Sequence, residues 1–174
     1  EQSVDKRCLP DLQEMMDACR EAGYKPLIVT SYRTTEKQKS LYDEKVKKLV
    51  DQGKSEDDAK KEAIKSVAAP GTGEHQTGLA VDIVDEDNPE MEYEQEKTDV
   101  NKWLKSNSYK YGCIQRYTSE KADVTGLPYE PWHFRYVGKD AAKIIFDKKI
   151  TLEEYTQLPD DEKKPASTPT PSED

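Results

Sequence analysis

The chain is poor in the side chains from which metal and redox sites are usually made. Its 174 residues include two histidines and three cysteines. Three is an odd count, so at least one of Cys8, Cys19 and Cys113 is unpaired or pairs outside the chain. Their spacing fits no zinc knuckle. Small buried thiols are expected in preference to a bridge, with Cys8–Cys19 and Cys8–Cys113 both open if one forms. Positive charge is also scarce: 27 Lys and Arg stand against 36 Asp and Glu, for a formal net charge of -9. Such a surface repels nucleic acid and anionic lipid, which excludes both as partners. No apolar run approaches the ~20 residues a membrane span needs, so no insertion is expected within this chain. The length fits one domain, large enough to bury a core without staples. The first residue is Glu1, not methionine, as expected if an upstream signal peptide or membrane anchor has been removed.

What is present is concentrated. Both histidines fall in two short polar clusters. The first reads Gly73-Glu74-His75-Gln76-Thr77-Gly78-Leu79-Ala80-Val81-Asp82, the second Tyr129-Glu130-Pro131-Trp132-His133-Phe134-Arg135-Tyr136. His75, Asp82 and His133 supply two imidazoles and a carboxylate, a set that binds zinc and leaves a fourth position for water. Glu130, three residues before His133, is placed to act as a general base on that water. Spacing alone is weak support. A chain with 36 acidic residues contains many His-x6-Asp pairs, and a histidine beside an aromatic run is more often packed core than ligand. Local context adds weight. Residues 79–84 alternate, with Leu79, Val81 and Ile83 on one face and Ala80, Asp82 and Val84 on the other. An aspartate among small apolar residues in a strand is costly to bury without a partner, and a cation would supply one.

The rest of the chain reads as α+β. A helix opens at Leu9-Pro10-Asp11, packs through Leu12, Met15, Met16 and Cys19, and ends at Gly23. Residues 26–32 form a short apolar strand that delivers Arg33. Thr35 and Gln38 are spaced as a capping box for the next helix, which packs through Leu41, Tyr42, Val46, Leu49 and Val50. Ser55 and Asp58 open another. Pro70 to Gly73 breaks it. The acidic stretch 85–99 reads as a surface loop, with Asp85 a solvated acid. Val100, Trp103 and Leu104 mark a helix ending near Asn107. Residues 111–117 form a strand, and 119–128 a polar loop leading into the strand that carries His133. Pro131 has no ladder donor, so it sets Glu130 at a strand edge or distortion. A last main helix starts at Gly138-Lys139-Asp140, and Thr151 caps a short one. The organisation is an N-terminal segment 1–8, a domain 9–158 and a disordered tail or linker 159–174 of proline, serine, threonine and acid.

Glu74 to Asp82, Glu130-Pro131-Trp132-His133 and Ser31-Tyr32-Arg33 together resemble the VanY-type zinc D-alanyl-D-alanine carboxypeptidases, over roughly residues 9 to 150. That resemblance implies a single α+β domain with a small antiparallel sheet flanked by helices, the fold shared with the hedgehog signalling domain. It implies a zinc ion on His75, Asp82 and His133, with Glu130 as catalytic carboxylate. Arg33 matches the arginine that holds the substrate's terminal carboxylate, a role suited to a guanidinium's paired donors. Gln38 matches a glutamine that reaches substrate, and its capping role stays open beside that one. Ser31 matches a small hydroxyl residue near the pocket, or simply ends its strand; Trp132 is read as a pocket wall. Gly73 stands where many relatives carry a substrate-binding serine.

The resulting expectation is a monomeric zinc D,D-carboxypeptidase cutting peptidoglycan stem peptides that end in D-Ala-D-Ala, outside or on the surface of a bacterial cell. An L,D-carboxypeptidase, or another peptidoglycan peptidase of the same family, is the alternative. A non-catalytic binding module with structural zinc is the alternative from another class, and Glu130 argues against it.

Overall fold

Four antiparallel strands carry Asp82, Glu130, Trp132 and His133 and lead into Ser31 and Arg33: Pro26–Thr30 (β1), Ala80–Asp85 (β2), Cys113–Tyr117 (β3) and Glu130–Tyr136 (β4), in the order β1-β2-β4-β3. This computed structural model describes residues 2–164. Of the tail that begins at Pro159, residues 165–174 lie outside the described residues.

The alternation in β2 decides which side of the sheet becomes the core. Val81 and Ile83 of β2 and Phe134 of β4 pack against Leu12, Met15 and Met16 of helix Leu9–Glu21 (α1). Val100 and Leu104 of helix Asp99–Asn107 (α4) complete the cluster. Burying such side chains is worth roughly 1.5–3 kcal/mol each, which fixes the register of both strands. Asp82 and His133, opposite one another across β2 and β4, are thereby left on the other face. All three cysteines are buried free thiols.

Several elements depart from the sequence expectation, each for a local reason. β1 ends at Thr30, two residues early. There the amide of Tyr32 turns to the Ser3 carbonyl, and the Ser31 carbonyl turns to His75. Helix Thr35–Asp51 (α2) is capped by Thr34, whose hydroxyl accepts from the Lys37 amide. Thr35 and Gln38 therefore form no capping box. Gln38 is buried and donates to the Ala68 carbonyl at 2.7 Å. Helix Glu56–Ala63 (α3) is capped by Ser55 as expected and packs Ala59 and Ala63 on Leu49, whereas Val50 stays exposed.

Within the stretch expected to be a plain acidic loop, Tyr93–Lys97 makes a 3-10 turn around the buried Gln95. That one amide accepts from the Asp85 amide and donates to the carbonyls of Asn88 and Glu90. β3 starts at Cys113 because Ser108–Tyr111 turns first and closes on Gly112 at φ 77°. A Cβ at Gly112 would fall 2.7 Å from the Tyr136 ring, so only glycine fits. The polar loop after β3 contains the short helix Ala122–Thr125 (α5). Helices Lys139–Lys148 (α6) and Leu152–Thr156 (α7) follow β4, the latter with a full capping box between Thr151 and Glu154.

Candidate metal centre

One 3-10 turn and two strands converge on the polar face of the sheet. The turn, Glu74–Thr77, ends at Gly78 with φ 70°, where a Cβ would lie 2.9 Å from the Asp5 amide nitrogen. It presents His75 with Nδ1 2.9 Å from the Ser31 carbonyl oxygen. A carbonyl only accepts, so Nδ1 carries the proton and Nε2 faces the site, 3.2 Å from Asp82 Oδ2.

β4 reaches the site through a distortion. Phe134 pairs with Gln115 and Glu130 with Tyr117, so Pro131, Trp132 and His133 face the single residue Arg116. The missing amide of Pro131 falls inside this bulge, while its carbonyl accepts from Asn101 and Gln115. Simple alternation would put Glu130 and His133 on opposite faces. The extra residues bring them together, with Glu130 Oε2 3.9 Å from His133 Nδ1.

His133 Nδ1 lies 3.0 Å from Asp82 Oδ1, and the two imidazoles stand edge to face with centroids 4.9 Å apart. One ligand atom from each of His75, Asp82 and His133 falls within 4.8 Å of the others. Tetrahedral zinc with bonds near 2.0–2.1 Å needs ligand atoms about 3.3–3.5 Å apart, so this buried trio is close to the required spacing. Each imidazole also has its far nitrogen held by an acceptor, as a preorganised metal ligand requires. The donor set fits zinc.

Arg33 stands beside the trio, with Nη2 3.9 Å from Asp82 Oδ2 and Nη1 donating to Gln38 Oε1 at 3.4 Å. Arg33, Gln38, Glu130 and Trp132 line one cavity of about 210 Å³ with His75, Asp82 and His133. Ser31 is different. Its hydroxyl donates to Gln2 Oε1 and accepts from the Ser3 amide, so it reaches the site only through its carbonyl. At Gly73 a Cβ would sit 3.1 Å from the Ala68 methyl, so a side chain there would need Ala68 to give by a few tenths of an ångström. A larger cavity of about 660 Å³, between β3 and α6, contains none of these site residues.

The charges are strongly coupled. Burial works to raise the Asp82 carboxyl, but hydrogen bonds from His133 and His75 outweigh it and hold it below the usual range. Glu130 is pushed up to about 7, first by burial and then by the Asp82 and Glu74 carboxylates, with His133 and Arg33 opposing. Burial lowers His133, yet Asp82 and Glu74 raise it to about 9.

Glu74 is the residue that sequence reading passed over. Its Oε2 accepts from His133 Nε2 at 3.1 Å, and its Oε1 accepts from Arg116 Nε and Arg135 Nη1, both at 2.9 Å. Burial would raise it, but His133, Arg116 and Arg135 together hold it at about 2. One signal was available. Residues 133 and 135 share a strand face, so Arg135 had to point where His133 points. The Tyr117 ring, at 5.0 Å and 30°, backs the His133 imidazole.

The family profile described as VanY, D-alanyl-D-alanine carboxypeptidase, matches residues 1–139. The chain belongs to the VanY family. A D-alanyl-D-alanine carboxypeptidase of Enterococcus faecalis is 45% identical over 152 residues, covering 87% of this chain and 55% of that protein. The chain spans about half the length of the curated relatives it matches. Among solved structures, VanYB in complex with D-alanine-D-alanine superposes with a TM-score of 0.81 at 43% identity, covering 90% of this chain and 84% of that one. A mutant of the vancomycin resistance D,D-pentapeptidase VanY in complex with Zn(II) gives 0.78 at 44% identity, covering 90% and 85%. The VanY fold is thus the α+β arrangement with a small antiparallel sheet expected from the sequence.

Proposed function

We propose that this chain is a zinc-dependent D,D-carboxypeptidase that hydrolyses the terminal D-Ala-D-Ala bond of peptidoglycan stem peptides at the bacterial cell surface. The observation that carries the reading is the placement of Glu130. A structural metal site has no use for a carboxylate at 3.9 Å from a ligand nitrogen, half-buried in an open cavity and poised near neutrality. The VanY relatives named for D-Ala-D-Ala cleavage, and the VanY structures with D-Ala-D-Ala and with zinc, support the same reading.

His75 Nε2, Asp82 and His133 Nδ1 would hold the ion. Bound there, zinc supplies an electrophile and a water acidified toward pKa ~7. Glu130, as carboxylate, removes a proton from the attacking water, carries it and delivers it to the departing amine. Arg33 accepts the substrate's free C-terminal carboxylate through two parallel hydrogen bonds. Gln38 fixes that guanidinium, since its own amide is tied to Ala68. Trp132 walls the pocket.

Mass analysis of products from a muramyl pentapeptide and tetrapeptide tests the assignment. Loss of one D-Ala from the pentapeptide alone is expected; loss from the tetrapeptide alone would make the enzyme an L,D-carboxypeptidase, and no cleavage of either would remove the reading. Arg33→Ala is expected to lower kcat/KM at least ~10-fold for substrates with a free C-terminus and little for C-terminal amides, since a charged hydrogen-bonded pair is worth roughly 1.5–3 kcal/mol. Equal losses on both would rule out the carboxylate clamp.

Zinc affinity should also depend on pH. With His133 raised to about 9, the metal must displace a proton from it at neutral pH. Zinc binding should therefore release close to one proton, from His133, between neutrality and pH 9, with a further contribution from Glu130 as pH falls to 7 and below, and affinity should tighten as pH rises toward 9. Calorimetry in buffers of different ionisation enthalpy reads the proton count, and a count of zero would contradict this.

A further inference from the structure

A chain of ion pairs runs from the last short helix into the site. Arg116 spends its fork on Glu153 of α7, with Nη1 to Oε2 at 2.9 Å and Nη2 to Oε1 at 2.5 Å. Held that way, it meets the site through Nε, which donates to Glu74 Oε1 at 2.9 Å. Glu74 in turn accepts from His133 Nε2 through its other oxygen. The Arg116 side chain is 8% exposed and that of Glu74 13%, so neither is a solvated surface charge.

α7 lies beyond the residues 1–139 that the family profile matches. It is nonetheless held firmly. Leu152 and Tyr155 pack on the cluster of Ile114, Ala142 and Ile145, and Lys121 pairs with Glu154. Thr151 and Glu154 close its capping box. These contacts leave Glu153 anchored and aimed at β3.

We propose that Glu153 is a positioning residue for the metal ligand His133, acting through Arg116 and Glu74. A guanidinium has two faces that can fork onto a carboxylate, and a bidentate pair is stronger than a single bond. Glu153 holds the guanidinium in the one orientation in which Arg116 meets Glu74 through Nε alone, at Oε1, leaving Oε2 for His133. Released from Glu153, the guanidinium is free to rotate and present two donors to Glu74. It then competes for the oxygen that orients His133, and the imidazole loses the partner that fixes its ring and tautomer.

The inference rests on His133 being a zinc ligand, and the test separates the two claims. Zinc affinity of the full chain is measured by chelator competition for wild type, Glu153→Gln and Glu153→Asp, alongside apo-protein Tm and the kcat and KM for a D-Ala-D-Ala peptide. Glutamine keeps the size of the side chain but sets an amide N–H₂ against the guanidinium. Loss of a direct partner of a ligand costs roughly 10–100-fold, so one link further out Glu153→Gln should weaken zinc about 3- to 10-fold. kcat should fall while KM holds, with apo-protein Tm unchanged and partial recovery in Glu153→Asp. Zinc affinity within twofold of wild type in Glu153→Gln overturns the proposal, as does a loss matched by a lower apo-protein Tm. A wild type that binds no zinc overturns the metal site and the inference together.

Discussion

Glu130→Ala should keep its zinc and lose at least ~100-fold in kcat, the size expected when a positioned general base is removed. Zinc retention follows from the proposed ligand set: the ligand atoms of His75, Asp82 and His133 lie together, and Glu130 lies outside that trio. The kinetic loss follows from the bulge in β4, which brings this carboxylate beside His133 Nδ1 rather than across the sheet. A pH signature accompanies it. Only the carboxylate form accepts a proton, so wild-type hydrolysis must rise with pH through the Glu130 transition. Burial sets that transition at about 7 in the free protein, and a cation beside it draws it lower. The acid limb should therefore lie at or below neutrality and vanish in the variant. Wild-type turnover by zinc-loaded Glu130→Ala would take Glu130 out of the reaction.

Glu74→Gln should weaken zinc binding ~10- to 100-fold, the range seen when a ligand's hydrogen-bond partner is lost. The wild-type carboxylate accepts at once from His133 Nε2 and from two guanidiniums. A neutral amide has a single acceptor oxygen and sets an N–H₂ against the other donors, so it cannot serve all three, and it leaves Arg135 without its carboxylate. The metal-free variant should also be less stable at neutral pH. The sign is set by linkage: a carboxyl held at about 2 in the folded state, against 4.5 ordinarily, contributes stability above the ordinary value and loses it as pH falls toward 2. The gap in Tm between wild type and variant should thus narrow in acid. Chelator competition showing zinc affinity within twofold of wild type would mean that His133 needs no help from Glu74.

Much of this site was legible because its parts are local. His75 and Asp82 sit on one short stretch whose alternation announces a strand with a charged residue on an apolar face. Glu130 and His133 share another, and the proline between them marks a distortion. Glu74 escaped notice because nothing in its own segment sets it apart from 35 other acids. Its partners, Arg116 and Arg135, come from β3 and β4. Gln38 was half read: its contact with Arg33 fits a pocket role, but Thr34 supplies the cap. Gln95 was missed because a lone buried amide inside an acidic run leaves no periodic trace.

The sequence by itself determined the donor types, the short segments that carry them and the family, since these depend on side-chain chemistry and on spacings within a few residues. Only the tertiary structure decided that two strands would meet with Asp82 opposite His133, that a bulge would turn Glu130 inward, and that α7 would reach the site through Arg116. Those outcomes depend on register and on ion pairs between distant segments. Register is chosen by the apolar face, through burial that no polar residue reports, so the polar face inherits its geometry from the core behind it.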